Sequence, residues 1–107
     1  MKRVLLDHCV PRRVLHALAG YDATTAYRQG WSELKNGALL STAEGNGFDV
    51  LITADKNLRY QQQLGERLIA VIELPTNSLP ALLPHFAAIA EAVERIRPSE
   101  YFELTFS

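Results

Sequence analysis

The chain has 107 residues, 48% hydrophobic and 21% charged, with a formal net charge of -1. That size predicts one domain, spanning 1–107, around one core, and that composition excludes a disordered segment. The charge excludes a global basic field, so any contact with nucleic acid must come from a local patch. A single cysteine, Cys9, excludes an intrachain disulfide and fits a reducing cytosol. Met1-Lys2-Arg3 runs into an apolar stretch too short for a signal-peptide core or a membrane span. The expected location is the cytoplasm, with no membrane partner.

The predicted elements alternate. A first strand covers Arg3–Leu6. Pro11 opens a helix with Val14, Leu15 and Leu18 on one face, ending near Gly20. A second strand covers Asp22–Ala26. Arg28 to Lys35 reads as irregular, with Gly30 as a breaker and Trp31 as an anchor. A second helix runs from Asn36 to Glu44, with Asn36 as its N-cap and Leu39, Leu40 and Ala43 as its apolar stripe. Gly45-Asn46-Gly47 stops it. Val50–Thr53 forms a third strand, and a short polar helix follows over 56–64. A fourth strand covers Leu68–Glu73. The longest helix runs from Leu79 to Arg97, and Tyr101–Phe106 forms a last strand at an edge. Such alternation predicts an α/β fold: a three-layer α/β/α sandwich on a mostly parallel sheet with right-handed crossovers.

Two aspartates end short apolar runs. Asp7 follows Arg3-Val4-Leu5-Leu6, and Asp55 follows Val50-Leu51-Ile52-Thr53-Ala54. Runs without polar alternation suit strands buried on both faces, and ligands of open parallel sheets bind beyond the carboxyl ends of the strands. Two carboxylates facing one crevice repel unless a cation joins them. Mg²⁺ is commonly held by one or two carboxylates, waters and phosphate oxygens, the arrangement used in phosphodiester hydrolysis. The plainer alternative is that each aspartate caps the helix that follows it. Asn36 and Asn57 are further catalytic candidates, since Asn57 stands two residues after Asp55. For Asn36 the simple N-cap is the competing assignment.

Arg12, Arg13, Lys35, Lys56 and Arg59 all fall at the starts of helices that follow strands. There they form a candidate phosphate site. Their alternative role is to neutralise Asp7 and Asp55 or to stay solvated. His8, His16 and His85 show no metal-ligand spacing, and Cys9 suits a small buried filler.

Three stretches, taken together, resemble the PIN-like domains, within them the small bacterial group related to the Mut7-C type (DUF5615). They are Leu5-Leu6-Asp7 with Val10-Pro11-Arg12-Arg13, then Gly30-Trp31-Ser32-Glu33-Leu34-Lys35-Asn36-Gly37-Ala38-Leu39-Leu40, then Phe48-Asp49-Val50-Leu51-Ile52-Thr53-Ala54-Asp55-Lys56-Asn57-Leu58. The resemblance implies a PIN-like α/β/α sandwich and a metal-dependent endoribonuclease using Mg²⁺ or Mn²⁺, often the toxin of a toxin–antitoxin pair. Asp7 and Asp55 match acids of that pattern, whereas His8, Asn36, Ala38 and Asn57 stand where the group commonly has acids.

The expected activity is metal-dependent cleavage of RNA. Asp7 and Asp55 hold the metal, and Asn36 and Asn57 orient it or its waters. The alternative is a catalytically weakened module that binds RNA or a protein partner. A phospho-receiver is the remote alternative. It needs paired acids after the first strand and a lysine at the end of the last, where this chain has Asp7-His8 and no lysine in Tyr101–Ser107. The expected partners are RNA, a small antitoxin-like protein, and a second copy paired through the edge strand.

Overall fold

A computed structural model describes residues 2–58 and 66–106. Five short strands form one sheet: β1 (Arg3–Leu6), β2 (Asp22–Thr25), β3 (Val50–Thr53), β4 (Ala70–Glu73) and β5 (Tyr101–Glu103). The spatial order is β2-β1-β3-β4-β5, and all four pairings are parallel. The fold is therefore α/β, with helices on both faces of an all-parallel sheet.

Strand side chains alternate between two cores. Val4, Leu6, Val50, Ile52, Ala70 and Ile72 pack with Val14, Leu18, Ile89 and Val93 on one face. Leu5, Leu51 and Val71 pack with Leu39, Leu40 and Ala43 on the other. β1, β3 and β4 are buried on both sides, which explains their unbroken apolar sequences. The first face is covered by a 3₁₀ helix (Arg12–Leu18) and by α2 (Phe86–Arg95); the second is covered by α1 (Asn36–Gly45).

Several element boundaries differ from the sequence expectation, each for a local reason. Pro11 is the N-cap of the first helix rather than its first residue, and that helix is 3₁₀, opened by the Val14 N–H donating to the Pro11 carbonyl at 3.0 Å. Lys35, with an extended backbone, is the N-cap of α1, so Asn36 is its first helical residue and not the cap. The long C-terminal helix is broken into an α-turn (Leu79–Leu82), a 3₁₀ turn (Leu83–His85) and α2. Pro84 lies at the break, where its missing N–H and its ring disfavour an unbroken α-helix. β4 starts at Ala70 because the Leu68 and Ile69 amides donate to the Glu44 carboxylate at 2.8 and 3.0 Å instead of to a strand. β5 ends at Glu103, and Phe106 stacks on His85 with ring centroids 3.8 Å apart.

The amino end of the sheet is tied to α2 by Lys2. Its Nζ donates to the carbonyls of Val93, Glu94 and Ile96 at 2.7, 2.9 and 2.9 Å, satisfying acceptors that a helix end leaves open. Among the described residues no helix is long and apolar enough to cross a membrane.

Candidate functional site

The chain runs from β1 outward to β2, then returns to the other side of β1 for β3 and continues outward through β4 and β5. The winding reverses between β1 and β3. In open parallel sheets that reversal leaves a crevice at the carboxyl ends of the two strands, because the flanking connections diverge to opposite faces. Asp7 and Asp55 follow these two strands.

Asp7 extends β1 by one residue, its N–H donating to the Ile52 carbonyl at 2.9 Å. The pairings of Leu6 with Ile52 and of Thr53 with Glu73 place Asp7, Thr53 and Glu73 in one row across three strands. All three are buried. Asp7 Oδ2 accepts from Thr53 Oγ1 at 2.9 Å. Asp7 Oδ1 accepts from the His8 N–H at 2.7 Å and lies 2.8 Å from His8 Nδ1. The carboxylate is thus oriented from both sides before any ligand arrives.

Asp55 is half-buried. Its Oδ1 accepts from the Asn57 N–H at 2.9 Å, and its carbonyl accepts from the Leu58 N–H at 3.3 Å. This is the capping geometry of an aspartate that starts a helical turn. Asn57 meets Asp55 through its backbone, and its side chain is exposed. Thr53 joins the two aspartates, since its hydroxyl also accepts the Asp55 N–H at 3.0 Å.

The remaining candidates are placed as follows. Arg12 and Arg13 open the 3₁₀ helix after β1, Lys35 caps α1, and Lys56 follows Asp55; all four are exposed. The ion pairs among the described residues are Arg3 with Asp22 and Arg95 with Glu91, and the polar side-chain partner of the Asp7 carboxylate besides Thr53 is His8, so these four cations do not neutralise Asp7 or Asp55 there. Arg59 and most of the short polar helix lie outside the described residues, as does the side chain of Asn36.

Cys9 is half-buried, packs against the first core and also touches this network. Its Sγ accepts from the Ala54 N–H at 3.4 Å and lies 3.7 Å from Thr53 Oγ1. Burial, foremost, and the nearby Asp7 charge push the Cys9 thiol above its ordinary value of 9.0. A raised value favours the thiol over the thiolate, the form that attacks electrophiles.

Among the described residues no group of three His, Cys, Asp or Glu side chains stands close enough to hold a metal ion.

Thr53 and Glu73 were not singled out by sequence reasoning. Thr53 carried a signal, a polar residue inside an apolar run two positions before Asp55. Glu73 is fully buried, with Oε1 accepting from the Tyr101 hydroxyl; an acid ending the apolar run Ala70-Val71-Ile72 was the clue. No family model, curated protein or solved structure matches this chain.

Proposed function

We propose that this chain is a PIN-like, metal-dependent endoribonuclease whose site is the crevice between β1 and β3. The observation that carries this reading is the position of Asp7 and Asp55 at the carboxyl ends of two adjacent parallel strands, where the winding reverses. Asp7 and Asp55 would hold Mg²⁺ or Mn²⁺, which supplies charge neutralisation at the scissile phosphate and an acidified water. Thr53 and His8 hold the Asp7 carboxylate in place. Arg12, Arg13, Lys35 and Lys56, with Arg59 beyond the described residues, bind the phosphates. Asn36 and Asn57 orient the metal or its waters. The cytoplasm is the fitting compartment, and a small antitoxin-like protein and a second copy of the chain are the fitting protein partners.

A second reading is favoured by a specific observation. Both oxygens of Asp7 already accept hydrogen bonds, and no group of three metal-binding side chains is present among the described residues. A module that binds RNA or a protein partner with weakened catalysis needs nothing more.

The deciding experiment is cleavage of single-stranded RNA by purified protein in Mg²⁺, Mn²⁺ and EDTA, beside Asp7→Asn and Asp55→Asn. The nuclease reading expects EDTA-sensitive cleavage that drops at least about a hundredfold in each variant, the scale of losing a charge that stabilises the transition state. Cleavage that survives both substitutions sinks it. RNA retention without cleavage selects the second reading.

A further inference from the structure

We infer that Tyr27, beyond the carboxyl end of β2, is a base-stacking platform that selects single-stranded over double-stranded RNA, with Arg28 beside it in the chain binding the phosphate. The inference deepens the RNA reading of this site and rests on it. Tyr27 is 78% exposed, more than any other large apolar side chain among the described residues. Isolated exposed apolar residues are ordinary. Three features distinguish this one.

The first is position. Leu6 pairs with Thr25, and the Ala26 N–H donates to the Leu6 carbonyl at 2.9 Å, so Tyr27 stands two residues beyond the end of β2, the strand that flanks β1 and Asp7. Leu68, which is almost as exposed, precedes β4 and lies at the opposite end of the sheet.

The second is rigidity. The turn that carries Tyr27 is closed by bonds from Gln29 N–H to the Thr25 carbonyl (3.1 Å), Gly30 N–H to the Tyr27 carbonyl (3.0 Å) and Trp31 N–H to the Ala26 carbonyl (2.9 Å). The Thr25 hydroxyl accepts from the Arg28 N–H at 3.0 Å. Gly30 takes a left-handed φ of 82°, which makes the tight reversal. Trp31 then anchors the loop edge-on against Phe48, with ring centroids 5.8 Å apart. An exposed aromatic on a fixed turn loses little freedom on binding.

The third is charge. Arg28 adjoins Tyr27, and Arg12 and Arg13 open the helix that follows β1; all three arginines are exposed. Every base has a π-face, so an aromatic beside cations binds single strands with little regard to sequence, whereas a duplex keeps its bases stacked on one another.

The test is fluorescence anisotropy with a short labelled single-stranded RNA in EDTA, so that binding is read without cleavage. The comparison probes are the same strand without its bases and the same strand annealed to its complement. Tyr27→Ala is expected to weaken binding of the intact strand about 5- to 150-fold, the worth of one stacked base, and Tyr27→Trp to restore it. The abasic strand is expected to bind wild type and Tyr27→Ala alike. Arg28→Gln is expected to lower the salt slope of binding by about one, which Tyr27→Ala leaves unchanged.

Intact binding with Tyr27→Ala within twofold of wild type overturns the inference, and so does equal affinity for the duplex. No RNA binding by wild type overturns it together with the RNA reading. Loss of self-association in Tyr27→Ala, with RNA binding unchanged, assigns the tyrosine to a protein contact and also overturns it. Loss of cleavage activity alone touches only the nuclease reading, because these measurements need no metal.

Discussion

Thr53 Oγ1 donates to Asp7 Oδ2 at 2.9 Å across the β1–β3 boundary, and the same oxygen accepts the N–H of Asp55 at 3.0 Å. One hydroxyl thus fixes both aspartates, one through its carboxylate and one through its backbone. Thr53→Val keeps the shape and removes the bond. The buried Asp7 oxygen loses a donor and the Asp55 amide an acceptor, so the variant is expected to lose about 1–3 kcal/mol in urea denaturation. Thr53→Ser should recover most of that. A valine variant as stable as wild type would show the tie to be incidental.

Lys2 gives a second test, at the other end of the sheet. Its ammonium meets three carbonyls at the C-terminus of α2, where a positive charge also complements the helix dipole. Lys2→Met keeps the stem and removes the donors. The expected loss is about 1–2 kcal/mol, with earlier fraying of α2 seen as faster amide exchange over Val93–Ile96. Unchanged exchange there would mean that water replaces the ammonium at no cost.

The sheet was legible in the sequence because its signals are local. Val50–Thr53 and Arg3–Leu6 are apolar runs bounded by polar residues, and they form strands at those limits. What was not legible depends on contacts far apart in the chain. Glu44 reaches Leu68 and Ile69 and so delays β4, which no window around Leu68 contains. Asn36 has the chemistry of an N-cap, yet Lys35 takes that place. Pro84 marks the break in the sequence itself, but it sits inside an apolar spacing that continues at helical period from Leu79 to Ile96 and masks it. At the site, the two aspartates were legible as strand ends. Thr53 as the bond between them needed the register of β1 on β3.

Cys9 reports the state of this network through its thiol. Burial first, and then the Asp7 charge and hydrogen bond, hold it above its ordinary value of 9.0, while the Ala54 amide and Thr53 pull the other way. A thiol raised in the folded state keeps its proton longer than in the unfolded chain. Its contribution to stability is therefore complete at neutral pH and is lost as pH climbs through the folded value. Since Cys9 is the sole cysteine, alkylation by iodoacetamide reads it directly. The rate is expected to rise with a midpoint above pH 9.0. Asp7→Asn should move the midpoint down, by removing a charge that opposes the thiolate. A midpoint below the ordinary value would show that Sγ is more open to water than its contacts imply.

Metal-dependent stability separates the two functional readings without any substrate. A cation that binds only the folded chain raises its stability by an amount set by concentration over Kd, about 1.4 kcal/mol at ten times Kd. With two carboxylates and no group of three His, Cys, Asp or Glu side chains among the described residues, the affinity expected for Mg²⁺ is weak, so the titration runs over a wide concentration range. Melting in Mn²⁺ and Mg²⁺ at the upper end of that range should therefore raise Tm by a few degrees, about 4–8 °C per kcal/mol for a domain of this size. Asp7→Asn and Asp55→Asn should each abolish the rise. NaCl at equal ionic strength controls for general screening. A rise that survives both substitutions means that the cation sits elsewhere. No rise at all leaves the crevice to RNA or a protein partner, with Asp7 serving Thr53 and His8 and Asp55 serving the turn at Asn57.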